Sequence, residues 1–298
     1  MSVLNNDKHL QELHESPGRL RRPGFLSVCA NPKCASSWLH VWRSRITPVL
    51  EGGWSCSSSC TRARLGQLLR REGEQRDAWP GVYRHRIPIG LVLLEKKWVT
   101  HEQLKKGLNE QRSGATGRIG KWLMDNCGLE EARLTQALSI QWNCPVFSLD
   151  NAPAFPAVLP VPRFFLESFR FFPLRRAGTG ALYIAFEDHI DHSVTLAIER
   201  ITGYTAEAGL VNGSGFEREH RARLGGRFLP TRIIEAAGMN SLLQALTSLI
   251  EKAKPVETRV VRMHDFYWLR LWKEGVRAGA DAAGDGIEDV ICSVTAFR

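Results

Sequence analysis

Pro88-Ile89-Gly90 returns thirty residues later as Arg118-Ile119-Gly120, and the agreement then stays in step. Leu93 matches Leu123, Leu94 matches Met124, Leu104 matches Leu134, Leu108 matches Leu138 and Gln111 matches Gln141, with no insertion between the copies. A repeat of this length is one supersecondary unit whose apolar face needs its twin to cover it. Each copy reads as two short helices. The first of each pair is expected over 89–96 and 119–126, with the paired apolar residues on an inward stripe. Thr100 opens the second helix of the first copy, and Gln103 three residues on completes the form of a capping box. Leu104, Leu108 and Gln111 then share one helical face. A glutamine buried at the end of such a stripe is costly without a hydrogen bond, so its recurrence predicts a polar partner in both copies.

Arg118, Gly120, Leu134, Leu138 and Gln141, with their first copy over 88–111, resemble the tandem motif of the MshEN-type domain. That module is the N-terminal domain of type II secretion and type IV pilus assembly ATPases, and many members bind cyclic di-GMP. The resemblance continues through 162–165, 172–174, 182–188 and 201–203, about half of the chain. Pro88 stands where the first motif expects Arg, with Arg86 two residues upstream. Lys97 and Cys127 replace the mid-motif glycine, and Gly128 fills an apolar slot. The resemblance also implies an acidic residue that meets the nucleotide after the strand over 182–186. Asp188 holds that position, followed by His189 where Pro is usual.

The chemistry of such a ligand suits these residues. Cyclic di-GMP is a dianion with two guanines, and the paired O6 and N7 acceptors of guanine fit an arginine fork. Arg118 and Arg86 supply forks. Gly90 and Gly120 allow a base or phosphate to approach backbone N–H groups at helix starts. Ile89 and Ile119 offer apolar surface, Gln111 and Gln141 both donate and accept, and Asp188 can accept from the guanine N–H edge. The competing reading makes the glycines mere helix-packing positions, the glutamines surface residues and Asp188 a turn carboxylate.

Upstream, Cys29 and Cys34 form one close pair and Cys56 and Cys60 another, separated by a stretch holding Trp38, Trp42 and Trp54. Four thiolates in two knuckles fit tetrahedral Zn2+ in a structural role. With a helix expected over 62–71, the arrangement resembles a treble-clef zinc finger. A segment this poor in aliphatics needs such a staple. The alternatives are four unrelated reduced cysteines or two disulfides, the latter disfavoured in a cytosolic chain.

Residues 1–22 are polar without an apolar core, which predicts no secretory leader and a cytoplasmic chain. Nothing in the sequence approaches a membrane span. With 40 Lys and Arg against 31 Asp and Glu, the net charge of +9 favours an anionic partner, whether nucleotide, nucleic acid or acidic protein surface. No Gly-Lys-Ser/Thr phosphate loop, nucleophile elbow or metalloprotease helix occurs, so catalysis is not expected.

The expected class is α+β. A polar tail (1–24) leads to a zinc-finger-like module (25–71), a linker (72–84), the tandem helical subdomain (85–145) and an α/β subdomain (146–211). A Gly- and Arg-rich connector (212–229) and a C-terminal helix with β-hairpin (230–298) follow, the latter without an assigned role. Phe266, Tyr267, Trp268 and Trp272 read as core. The functional expectation is a non-enzymatic receptor or adaptor for cyclic di-GMP, linked to secretion or pilus machinery. Nucleotide-independent protein docking and zinc-finger nucleic-acid binding are the alternatives.

Overall fold

The computed structural model describes residues 28–34, 47–74, 86–113, 118–150, 158–178, 180–273 and 286–295. The 1–24 tail, Trp38, Trp42 and most of both 72–84 and 278–286 lie outside these residues. The N-terminal part is a knuckle at 29–34, a small hairpin of β1 (Val49–Leu50) and β2 (Gly53–Trp54), and a long helix α1 (Ser58–Glu74). The leucines of α1 at 65, 68 and 69 are fully buried, which directs one face of this polar helix inward.

The repeat forms four helices: α2 (Ile89–Glu95), α3 (His101–Arg112), α4 (Ile119–Cys127) and α5 (Glu131–Trp142). The Thr100 capping box is present in full, with Gln103 N–H donating to the Thr100 hydroxyl and Thr100 N–H to the Gln103 side chain. α2 packs on α5 and α3 on α4, so each copy's first helix lies against the other copy's second. This reciprocal pairing covers Val92, Leu93, Leu123 and Ala137, none of which one copy could bury alone.

An α/β unit follows: β3 (Val158–Leu159), α6 (Arg163–Phe169), β4 (Phe171–Ala177), β5 (Ala181–Phe186), α7 (His192–Thr202) and β6 (Thr205–Leu210). β4 and β5 run antiparallel, and β5 and β6 parallel around α7. Asp191 caps α7 by accepting from the N–H groups of Ser193 and Val194. The expected connector over 212–229 is instead largely helical, as α8 (Gly213–Leu224). Phe216 and His220, one turn apart, are buried, and His220 Nε2 contacts the Leu166 carbonyl at 2.8 Å. That anchored face turns a linker-like composition into a packed helix.

The C-terminal part comprises β7 (Arg227–Phe228), β8 (Thr231–Ala236), α9 (Met239–Ala253), β9 (Glu257–Met263), β10 (Phe266–Trp272) and β11 (Ile287–Val294). β7 pairs with β3. The expected helix and hairpin become a helix on a four-stranded sheet of order β8-β11-β10-β9, with β8 joined in parallel to β11. Both faces of the sheet are covered. Val261, Met263, Trp268 and Ile291 join the core of the α/β unit. Val260, Leu269, Val290 and Cys292 meet the leucines of α1 and α9 on the opposite face. Strands buried on both faces lose the apolar–polar alternation that marks a half-exposed sheet. Tyr267, Trp268 and Trp272 are all buried, as their composition implied. An ion pair, Arg270 with Asp289, lies between sheet and α/β unit; Asp289 also accepts from Trp268 Nε1 at 2.9 Å. The α+β class read from sequence thus holds. No helix among the described residues is long and apolar enough to cross a membrane.

Candidate functional site

Reciprocal pairing of the repeat brings the start of α2 to the end of α5. The Gln141 side-chain amide donates to the Ile87 carbonyl at 2.8 Å, so Gln141 meets a polar partner as the recurrence predicted, although it is only half-buried. Beside this contact, the guanidinium carbon of Arg86, the residue before Ile87, sits 3.1 Å over the centre of the ring of Trp142, the residue after Gln141. An arginine over an indole face is a cation–π pair.

A third segment, the turn from β5 to α7, closes the cluster. The His189 ring lies 5.8 Å from that of Trp142, and its Nδ1 is 2.5 Å from Asp188 Oδ1. The other Asp188 oxygen pairs with Arg118, the residue that caps the start of α4. The Arg118 side chain is 72% exposed and that of Asp188 only 19%, so the arginine reaches from solvent onto a half-sheltered carboxylate. Burial holds His189 below the ordinary histidine range; Asp191 opposes this, while Arg118 and Arg86 reinforce it. A neutral ring at pH 7 can donate from Nδ1 to Asp188. Arg118 and Arg86 thus both act on the surroundings of Asp188 and His189, alongside the carboxylates of Asp191 and Glu187.

The remaining predicted residues sit differently. A Cβ added at Gly90 would come within 3.0 Å of the Leu104 side chain, and one at Gly120 within 2.7 Å of Leu134. Both glycines therefore serve close packing between the two helices of their own copy. Ile89 and Ile119 pack against the repeat core. Gln111 ends α3 as an exposed residue rather than a buried one. Trp142 escaped the sequence reading, and His189 entered it only as a replacement for the usual Pro; each directly follows a residue that was singled out, Gln141 or Asp188.

The second cluster is the cysteine set. The Sγ atoms of Cys29, Cys34, Cys56 and Cys60 all lie within 4.8 Å of one another, so the four can hold a metal ion. Cys34 and Cys56 are 3.5 Å apart and Cys56 and Cys60 3.6 Å. A tetrahedron of sulfurs at ~2.3 Å from zinc has edges of ~3.8 Å, so these spacings fit the ion. All four thiols are free of disulfides. Cys60 lies in the first turn of α1, Cys56 just before it, and Ala30 N–H donates to the Trp54 carbonyl, tying the knuckle to the hairpin. The Asn31 amide donates to Cys60 Sγ at 3.2 Å, an outer contact of the kind that orients metal ligands. Burial and the neighbouring thiols push Cys56 up to about 12. Burial also raises Cys60, but hydrogen bonds from Ser57 and Asn31 outweigh it and bring that thiol to about 6.

No family model matches the chain. The type IV pilus assembly ATPase PilB of Myxococcus xanthus (strain DK1622) is 30% identical over 120 residues, which is 40% of this chain and 21% of that protein. The chain thus spans about a fifth of that relative's length. Among solved structures it is similar to MshE with cyclic di-GMP, at 25% identity and a TM-score of 0.39, covering 46% of this chain and 99% of that one. The N-terminal domain of XpsE is similar at 20% identity and a TM-score of 0.33, covering 45% of this chain and 91% of the other. The chain is thus similar in part to a type IV pilus assembly ATPase.

Proposed function

We propose that this chain is a non-enzymatic, cytoplasmic receptor or adaptor that binds cyclic di-GMP in its MshEN-like domain and holds structural Zn2+ on Cys29, Cys34, Cys56 and Cys60. The observation that carries the reading is the convergence of Arg86, Gln141, Arg118 and Asp188 from four separate segments. Arginine forks, a carboxylate and an adjacent aromatic ring are the groups that recognise guanine edges and faces. Ile89, Gly90, Ile119 and Gly120 shape the helix starts beside them, and Gln111 belongs to the matching end of α3. In the free protein Asp188 occupies Arg118, so the ligand exchanges one charge-assisted pair for another. Absence of a phosphate loop argues for binding without hydrolysis. Similarity to a pilus ATPase supports pilus or secretion machinery as the downstream partner.

A calorimetric titration of Arg118→Ala tests the site. The variant is expected to bind cyclic di-GMP roughly tenfold or more weakly, the loss of one bidentate base contact, with an unchanged thermal midpoint. Unaltered affinity removes Arg118 from the site. One observation favours a second reading: Ile87, Leu91 and Ile140 are 57%, 55% and 41% exposed, an apolar group suited to nucleotide-independent protein docking. A complex with pilus proteins that forms equally with and without cyclic di-GMP would favour it. Nucleic-acid binding, the third expectation, requires an affinity that falls steeply with salt.

A further inference from the structure

The two halves of the candidate site are chemically unequal. At the thirty-residue offset, Pro88 stands opposite Arg118 and Arg112 opposite Trp142. The half made by the start of α2 and the end of α5 therefore lacks the motif arginine. It holds a stack instead, the Arg86 guanidinium 3.1 Å over the Trp142 indole; His189 of the β5–α7 turn, 5.8 Å from that indole and in contact with Asp188, joins the two halves. The half made by the start of α4 and the β5–α7 turn carries a fork and a carboxylate, Arg118 and Asp188.

These groups read a base in different ways. A flat stack meets the π-face that every base has, so it grips without discriminating. A guanidinium backed by an indole is such a surface, because bases stack on arginine planes as on aromatic rings. An arginine fork with a carboxylate meets the edge of a base, where guanine and adenine differ in donors and acceptors. Resting on the cyclic-dinucleotide reading above, we infer that the site is asymmetric: the Arg86–Trp142 half holds either purine by stacking, while the Arg118–Asp188 half requires guanine. The ligand class then widens to cyclic dinucleotides with at least one guanine.

The test titrates the full chain with cyclic di-GMP, 3′,3′-cyclic GMP-AMP and cyclic di-AMP. The hybrid should bind within about fivefold of cyclic di-GMP, since stacking tolerates the exchanged base; a factor of two of that is orientational, because the symmetric ligand seats either way round. Cyclic di-AMP should bind at least about tenfold more weakly than the hybrid, having no guanine edge for Arg118 and Asp188. Arg86→Lys keeps the charge and loses the plane, so it should weaken both guanine ligands by about tenfold, the scale of one stacked base. Glu95→Ala, outside the site with only an exposed pair to Lys96, should bind as wild type, and a thermal midpoint of Arg86→Lys equal to that of wild type separates lost stacking from lost folding. A hybrid as weak as cyclic di-AMP, or Arg86→Lys binding as wild type, overturns the asymmetry while leaving the receptor reading standing. No binding of any of the three overturns both.

Discussion

Glu72 at the end of α1 ties the cysteine module to the rest of the molecule, and its removal has a calculable effect. Its carboxylate accepts from Arg200 of α7 at 2.6 and 2.7 Å, from Arg71 at 2.8 Å, and from the Arg262 N–H at 3.3 Å. Arg71 in turn forks onto Glu51 at 2.7 and 2.8 Å. The Glu72 side chain is 2% exposed, whereas those of Arg200 and Arg71 are 29% and 40% exposed. Removing one partner of a fully buried pair costs about 3–5 kcal/mol because the other charge is stranded. Here Arg71 keeps Glu51 and Arg200 can regain water, so Glu72→Ala is expected at about 2–3 kcal/mol, below that range. At about 2–4 °C per kcal/mol for a chain somewhat smaller than this one, the thermal midpoint should fall by roughly 5–10 °C. Thermal unfolding of wild type, Glu72→Ala and Glu95→Ala provides the comparison. Glu95 forms only an exposed pair with Lys96 and should change nothing measurable. A midpoint for Glu72→Ala indistinguishable from that of Glu95→Ala would refute the reasoning, since the network would then contribute no more than a surface pair.

Burial pushes the Glu257 carboxyl up to about 7 from 4.5, against the opposing charge of Arg259. The folded state thus binds this proton more tightly than the unfolded chain, and stability is lost as pH rises from about 4.5 to 7. Glu257→Gln should raise stability at pH 8, by on the order of 3 kcal/mol from the shift, with little effect at pH 4; equal denaturation midpoints for variant and wild type at pH 8 would contradict this. A Cβ at Gly209 would meet Phe147 at 2.6 Å and the Pro145 carbonyl at 2.8 Å, so Gly209→Ala should destabilise by about 1–3 kcal/mol through overpacking; urea unfolding with an unchanged midpoint would refute it. Purified protein should carry about one zinc per chain, as a closed four-thiolate site requires. Cys60→Ser should lose it, and full retention of the metal by that variant, measured by elemental analysis, would exclude Cys60 as a ligand.

Local chemistry was legible in the sequence, and distant contacts were not. The capping box at Thr100 and the two close cysteine pairs each rest on residues near one another in the chain, and the repeat on a fixed offset readable along it. Their structural counterparts follow directly. β8 was missed because Thr231–Ala236 carries exposed Ile233 beside exposed Arg232 and Glu235, which blurs the period of a strand. The break between β9 and β10 was missed because the turn at His264, with φ of 54°, contains neither glycine nor proline. α8 begins at Gly213 with a second glycine two residues on, a start that reads as linker; only the Phe216 and His220 spacing hints at a buried face. The candidate site depends on contacts of the same hidden kind. Arg86 meets Trp142, Arg118 meets Asp188 and Glu72 meets Arg200 across long stretches of chain, and no local pattern encodes such pairs.

Calorimetric titration of the purified protein with cyclic di-GMP, with GTP as control, decides whether the cluster around Arg118 and Asp188 is a nucleotide site. Saturable binding in the micromolar range or tighter is expected, selective over GTP and weakened in Arg118→Ala. No heat and no thermal shift on adding cyclic di-GMP would contradict it and leave the exposed apolar group around Ile87 and Leu91 as the better guide to what this protein does.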